Sequence, residues 1–293
     1  MRKEVIGSIF ILVIMVASLF TFLIPGGDNG IEDDLRDLQL KMDNTDFFDV
    51  ISLLPTGVET IMYTNFGNET GDELAIWAAA NTGAPSETML GRSPDWFINV
   101  NYPYTQGSSS FEQIEHWITM MSFGNFIIYD YPNDLTPYRG INITRHPNFF
   151  YTPNTEPVLV TAEQNDIAYV LDIWMQDNSS ETETAFEELA VLLKYVPEGV
   201  NWAILNDYSN STSPLNFAAK VFTSITTLDD GDYYLNVSSH VKYDGQPNAS
   251  LFTIPANANS NVTFYIESEY VYYGIRGDIE VILDEIIRLA VFG

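Results

Sequence analysis

The chain has 293 residues, with 12 Lys plus Arg against 40 Asp plus Glu, a formal charge of −28 and no cysteine. A surface this acidic repels phosphate backbones, so nucleic-acid binding is excluded as a function. Zero cysteines exclude a disulfide framework and a cysteine nucleophile, while 46% hydrophobic and 14% aromatic residues suffice for a sizeable core and exclude wholesale disorder.

Arg2 and Lys3 open the chain, and Val5 to Ile24 follow without a charge until Pro25-Gly26-Gly27. At about 1.5 Å per residue, such a run matches the roughly 30 Å hydrocarbon core of a bilayer. A cleaved signal peptide has a shorter apolar region and a small-x-small site, which this run lacks. The expectation is an uncleaved signal-anchor over residues 1–27, with membrane contact through residues 5–24. Basic residues before the span and Asp28, Glu32, Asp33 and Asp34 after it put the N-terminus in the cytoplasm and residues 28–293 outside the cell membrane. Without Arg2, Lys3 and Glu4 the outer part keeps 10 basic and 39 acidic residues, a net −29.

Residues 28–45 form a stalk in which Ile31, Leu35, Leu38 and Met42 recur at helical spacing. Beyond it lies an internal repeat. Pro55 to Thr70 aligns with Pro197 to Thr212 at a constant offset of 142, with five of sixteen positions identical. Asp46 to Leu54 and Glu188 to Val196 match at the same offset. In each copy a helix ends at the proline, Gly57 or Gly199 turns the chain, and a strand follows. Asp166 to Ile173 resembles Glu269 to Arg276, and Phe186 to Leu192 resembles Leu283 to Leu289, so each unit is expected to close with a strand pair and a helix. The units are assigned to residues 46–196 and 197–293.

Within the first unit, Trp96 to Tyr102 alternates as a strand. Ser110 to Gln113 has the capping-box pattern, so a helix is expected with Ile114, Trp117, Ile118 and Met121 on one face. Asn125 to Tyr131 is expected as a strand, and the proline-rich residues 132–156 as a surface loop. In the second unit Leu215 to Ile225 is expected to be helical, by analogy with Leu74 to Ala80. Tyr233 to Tyr243 is a strand with Asn236, Ser238 and His240 outward, and strands follow at 249–254 and 261–267. The fold class is α+β: a single N-terminal transmembrane helix, then two related units with helices over mostly antiparallel sheets.

Seven N-x-[ST] sequons, at Asn68, Asn142, Asn178, Asn210, Asn236, Asn248 and Asn261, are roughly twice the chance number, and all lie beyond the anchor. A cysteine-free, acidic, sequon-rich and singly anchored chain has the composition of an archaeal surface glycoprotein.

No H-E-x-x-H, G-x-S-x-G, P-loop or G-x-G-x-x-G motif occurs. His116, His146 and His240 lack metal-ligand spacing, and His116 is expected to be partly buried and bonded. No cofactor is implied, with one candidate metal exception: Asp229, Asp230 and Asp232 around Gly231 offer hard oxygen ligands for calcium, although Asp-Gly is also turn chemistry. Tyr102-Pro103-Tyr104, Tyr129-Asp130-Tyr131, Tyr233-Tyr234 and Tyr270 to Tyr273 are candidate stacking platforms, with sheet packing as the simpler role. The expected function is a non-enzymatic, membrane-anchored surface glycoprotein that binds an envelope protein or glycan or has a structural role there. The alternatives are an extracytoplasmic hydrolase with its site between the units, and an accessory subunit of a membrane complex.

Overall fold

A computed structural model describes residues 38–42, 46–66, 74, 77, 94–106, 113–123, 135–175, 183–209, 218–242 and 262–292. The expected anchor, the stalk up to residue 37 and the expected strands at 125–131 and 249–254 lie outside these residues. Among the described residues no helix is long and apolar enough to cross a membrane. By its contacts the chain divides into Met1–Arg36 and Asp37–Gly293, and every described residue belongs to the second unit.

In chain order the elements begin with β1 (Leu40–Lys41), α1 (Phe47–Ile51), β2 (Thr60–Asn65), β3 (Trp96–Gln106), β4 (Gln113–Ser122), β5 (Leu135–Tyr138), β6 (Ile141–His146), β7 (Phe149–Tyr151), β8 (Thr155–Glu156) and β9 (Val158–Thr161). They continue with α2 (Gln164–Trp174), α3 (Ala185–Leu189), β10 (Val200–Asp207), β11 (Ala218–Thr227), β12 (Tyr233–Val241), β13 (Val262–Glu267), β14 (Tyr270–Gly277) and α4 (Ile279–Phe292). Among the described residues, twelve strands make one sheet in the order β13-β14-β12-β11-β10-β2-β3-β4-β9-β7-β6-β5. Every neighbouring pair is antiparallel. With a few helices packed on that sheet, the fold is of the α+β kind.

At the centre of the sheet β10 pairs with β2, with Met62 opposite Ile204. These two residues are also 142 apart, so the repeat offset and the strand register share one midpoint. Outward from β2 run β3, β4, β9 and β7; outward from β10 run β11, β12, β14 and β13. In each direction a helix follows the third of these outward strands in the chain, α2 after β9 and α4 after β14.

Residue alternation assigns the faces. Ile61, Tyr63, Ile98, Val100, Ile118, Met120, Leu159, Ala203, Leu205 and Phe222 lie on one face and are buried with α1, α2 and α3. On the opposite face Trp202, Ile225, Leu235, Val237, Val271, Tyr273 and Ile275 are buried with Ile279 and Ile282 of α4. Phe97, Met121, Tyr151, Val158 and Val160 form a third buried cluster on the α4 face of the first half. Each such side chain contributes about 1.5–3 kcal/mol when removed from water.

Burial on both faces explains several departures from sequence expectation. Residues 113–122 form β4 rather than a helix: Ile118 and Met120 point to one face and Met121 to the other, so apolar spacing mimics a helical stripe. Leu215 to Ile225 was expected to be a helix, but Ala218–Thr227 is a strand, as its β-branched Val221, Thr223, Ile225, Thr226 and Thr227 favour. Asp166 to Ile173, expected in a strand pair, belongs to α2, which buries Ile167, Val170 and Leu171 at helical spacing. The expected loop 132–156 contains β5 to β8; Pro137 sits in β5, the terminal strand among those described, where a missing N–H is tolerated. Leu40–Lys41, at the end of the expected stalk helix, is instead extended and pairs in parallel with Thr155–Glu156.

Candidate binding groove

The chain reaches the centre of the sheet through two equivalent turns. Gly57 and Gly199 both adopt positive φ, +86° and +75°, which glycine tolerates without a Cβ penalty. The Gly57 N–H donates to Glu188 Oε2 at 2.6 Å. The Gly199 backbone N–H favours the charged form of the Asp46 carboxyl. Asp46 and Glu188 are 142 residues apart, as are Gly57 and Gly199, so each aligned segment, 46–70 and 188–212, sets an acid at the other segment's turn. The seam is tightened by Ala185 N–H donating to Leu54 O at 2.8 Å and by a bridge between Pro55 and Thr184.

The two crossings differ in what surrounds the acid. Glu188 Oε1 lies 3.0 Å from Lys220 Nζ, which also lies 3.5 Å from Asp207 Oδ2. Burial pushes the Asp207 carboxyl up, but the Ser209 hydroxyl and N–H and the Lys220 ammonium outweigh it and hold Asp207 below its ordinary value. In the sheet register Asp207 faces Lys220, and at the counterpart position Asn65 faces Trp96. The Asp46 crossing therefore has Trp96 where the Glu188 crossing has a lysine. Burial, together with the nearby charges of Asp49 and Glu198, raises the Asp46 pKa against the backbone N–H groups of Phe47 and Gly199.

Beside Asp46 a groove of about 770 Å³ opens between α1 and the segment 186–198. Phe48, Phe186, Ala190, Leu193 and Val196 give it an apolar lining, with Asp46, Asp49, Lys194 and Glu198 as its charged members. Phe186, 37% exposed, meets Phe48 edge to face at 6.2 Å. Lys194 is engaged by Glu267 Oε2 at 2.6 Å and lies 5.0 Å from the Tyr195 ring centroid. An open groove with five apolar and four charged lining residues suits the side chains of a partner.

The candidates named from sequence fall elsewhere. Arg276 Nε donates to Asp232 Oδ2 at 2.8 Å and its Nη2 to Asp230, in the turn between β11 and β12. The structure therefore brings Asp230 and Asp232 together on a guanidinium. No group of three or more His, Asp or Glu that could hold a metal exists among the described residues. His116 is partly buried, as expected, with Nδ1 3.2 Å from both Asp166 oxygens. Burial raises the Asp166 carboxyl and His116 draws it back only in part.

Asn236, expected to face outward, is 1% exposed, and its Nδ2 donates to Ser238 Oγ at 3.0 Å; Ser238 is itself buried. The sheet face that carries them is covered in this half as well, which overturns the outward placement. Asn142 is half-buried in β6, and its N–H donates to Gln39 Oε1 at 2.9 Å. Asn68, Asn178, Asn210, Asn248 and Asn261 lie outside the described residues.

The tyrosines of β14 separate by face as expected: Tyr272 Oη donates to Val191 O at 2.9 Å, and Tyr273 Oη donates to buried Glu285 at 2.7 Å. Tyr195 packs against Tyr265 at 5.5 Å and Tyr272 at 4.8 Å, and His240 stacks on Tyr270 at 4.9 Å. Tyr129 and Tyr131 lie outside the described residues. Sequence reasoning missed the groove because 46–49 and 186–198 are remote in the chain; the shared offset of 142 was the signal that joins them.

No family model matches the chain, and no curated protein matches it. Among solved structures it is similar to the one titled "Structure of crystal form III of TP0453", with a TM-score of 0.43, 11% identity, and coverage of 80% of this chain and 96% of that chain. For "Structure of crystal form I of TP0453" the TM-score is 0.41 and the identity 12%, over 82% of this chain and 96% of that chain. Likeness at this level assigns neither activity nor partner.

Proposed function

We propose that the chain is a membrane-anchored, extracytoplasmic binding protein without enzymatic activity, built from two related α+β halves, with its binding surface where the two aligned repeat segments, 46–70 and 188–212, meet. The groove carries this reading, because it places exposed Phe186 and half-buried Phe48 and Val196 beside the contacts that join the repeat segments. Duplication is supported by the shared midpoint at Met62 and Ile204, by the matching outward strand orders, and by the exchanged acid–glycine contacts. The twenty uncharged residues from Val5 to Ile24, flanked by Arg2 and Lys3, support the anchor, and the sequons beyond it support glycosylation of accessible sites.

A hydrolase has one observation in its favour, the raised Asp46 carboxyl beside Asp49 in an open groove. For an enzyme, Asp46→Asn abolishes turnover of a hydrolysable substrate; for a binding protein it changes affinity alone.

Because the chain has no cysteine, one introduced thiol reports its own location. Glu280→Cys, on the exposed face of α4, is expected to react with a membrane-impermeant maleimide on intact cells, in protein that resists carbonate extraction. Labelling that requires permeabilisation, or release by carbonate, overturns the anchored extracytoplasmic reading.

A further inference from the structure

We infer that the seam groove receives a basic, apolar peptide segment of a partner protein, with a Lys or Arg of the partner set on Asp46 and a bulky apolar side chain against Phe186 and Phe48. This rests on the groove being the binding surface.

The molecule carries its own template for the charged contact. At the Glu188 crossing, Lys220 lies 3.0 Å from the acid that accepts the Gly57 N–H. At the counterpart crossing Asp46 stands beside the Gly199 turn, but Trp96 occupies the position equivalent to Lys220. Asp46, Asp49 and Glu198 therefore line the groove with three carboxylates, and Lys194, the one base among its described lining residues, is held by Glu267. A cation is the complementary charge.

The apolar part is set by the lining. Phe186 is 37% exposed and edge-on to Phe48, which leaves aromatic surface for an inserted aliphatic or aromatic side chain. The groove's volume of about 770 Å³ exceeds what a lone ammonium fills and suits several consecutive side chains. A small inorganic cation would leave the apolar surface uncovered, and a neutral apolar ligand would bury the carboxylates without partners.

The test uses the full chain in nonionic detergent, with three fluorescein-labelled peptides read by polarisation. One alternates Lys with Leu and Phe, the second replaces each Lys with Glu, and the third keeps Lys but replaces Leu and Phe with Ser. The first peptide is expected to bind at least tenfold more tightly than either of the others. Phe186→Ser and Glu198→Lys, both at exposed positions, are each expected to weaken it at least fivefold. Glu280→Lys makes the same charge change on α4 and is expected to leave binding within twofold, which separates the groove from the general pull of an acidic protein. Equal binding of the Lys and Glu peptides, lowered by Phe186→Ser, overturns the basic partner and keeps the groove. Indifference of every peptide to both groove variants overturns the groove as well. Tight binding of the Lys-Ser peptide reduces the site to a charge effect and also overturns the inference.

Discussion

Two acids stand at equivalent turns near the centre of this protein, and their surroundings differ. Glu188 supports Gly57 and is accompanied by Lys220 and Asp207, whereas Asp46 supports Gly199 in the company of Asp49 and Glu198. One crossing is satisfied within the chain and the other is left acidic at the edge of a groove. Equivalent glycine turns thus lead into β2 and β10, while the side chain on the neighbouring strand, Lys220 on β11 or Trp96 on β3, decides whether the crossing is closed or open. The two sides of the sheet, outward from β2 and from β10, differ on a larger scale too. Their strand orders correspond, yet α2 packs on one face of the sheet and α4 on the other, so both faces end buried.

The largest effects are expected in the core beneath the crossings. Phe47 and Leu189 are counterparts at the repeat offset and are 0% and 1% exposed. Phe47→Ala is expected to cost about 4 kcal/mol and Leu189→Ala about 3 kcal/mol in denaturant unfolding, one event each if the halves unfold together. Next in size is the buried group that anchors α4. Glu285→Ala removes the acceptor of Tyr273 Oη and the partner of Arg288, with an expected loss of about 3 kcal/mol.

Acid titration then separates the crossings by sign. An aspartate held below its ordinary value, as Asp207 is, adds stability above the ordinary aspartate range, and this is lost as pH falls through its folded pKa. An aspartate held above it, as Asp46 is, favours the folded state at low pH, and that advantage is lost as pH rises through its folded pKa. Thermal midpoints at neutral pH are therefore expected to fall with Asp207→Asn and to rise with Asp46→Asn. Toward pH ~3 both differences should shrink as the wild-type carboxyls protonate. A fall in both variants at neutral pH would contradict the open-crossing description.

The smallest effects belong to the surface. Arg276→Ala removes two exposed carboxylate contacts and is expected to cost no more than about 1 kcal/mol, well below Glu285→Ala. Glycopeptide mapping of protein from a glycosylating host is expected to find Asn236 bare, since its side chain is enclosed with Ser238 in the folded sheet. A glycan on Asn236 in folded, soluble protein would contradict the burial described here.

Much of the sheet was legible in the sequence where one local rule sufficed. Trp96 to Tyr102 and Tyr233 to Val241 have strand composition, and the proline–glycine turns at Pro55-Thr56-Gly57 and Pro197-Glu198-Gly199 marked the entries to β2 and β10. Illegibility began where both faces are buried. Ile118, Met120 and Met121 are apolar on both sides of β4, so helical spacing arose without a helix. Ile167 to Leu171 is rich in β-formers but folds as α2, because Ile167, Val170 and Leu171 share one buried stripe. The outward placement of Asn236 failed for the same reason, as alternation describes a half-exposed sheet and this one is enclosed. The groove was legible only through the repeat, which put Asp46 level with Glu188 before any contact between the halves was known.

The most direct test of the open crossing is fluorine NMR of the full chain with 4-fluorophenylalanine at position 186, titrated with the Lys-Leu-Phe peptide. A saturable shift of that signal is expected, weakened at least fivefold when Asp46 becomes Asn. A signal that does not move, or one that moves equally in Asp46→Asn, would contradict the open crossing.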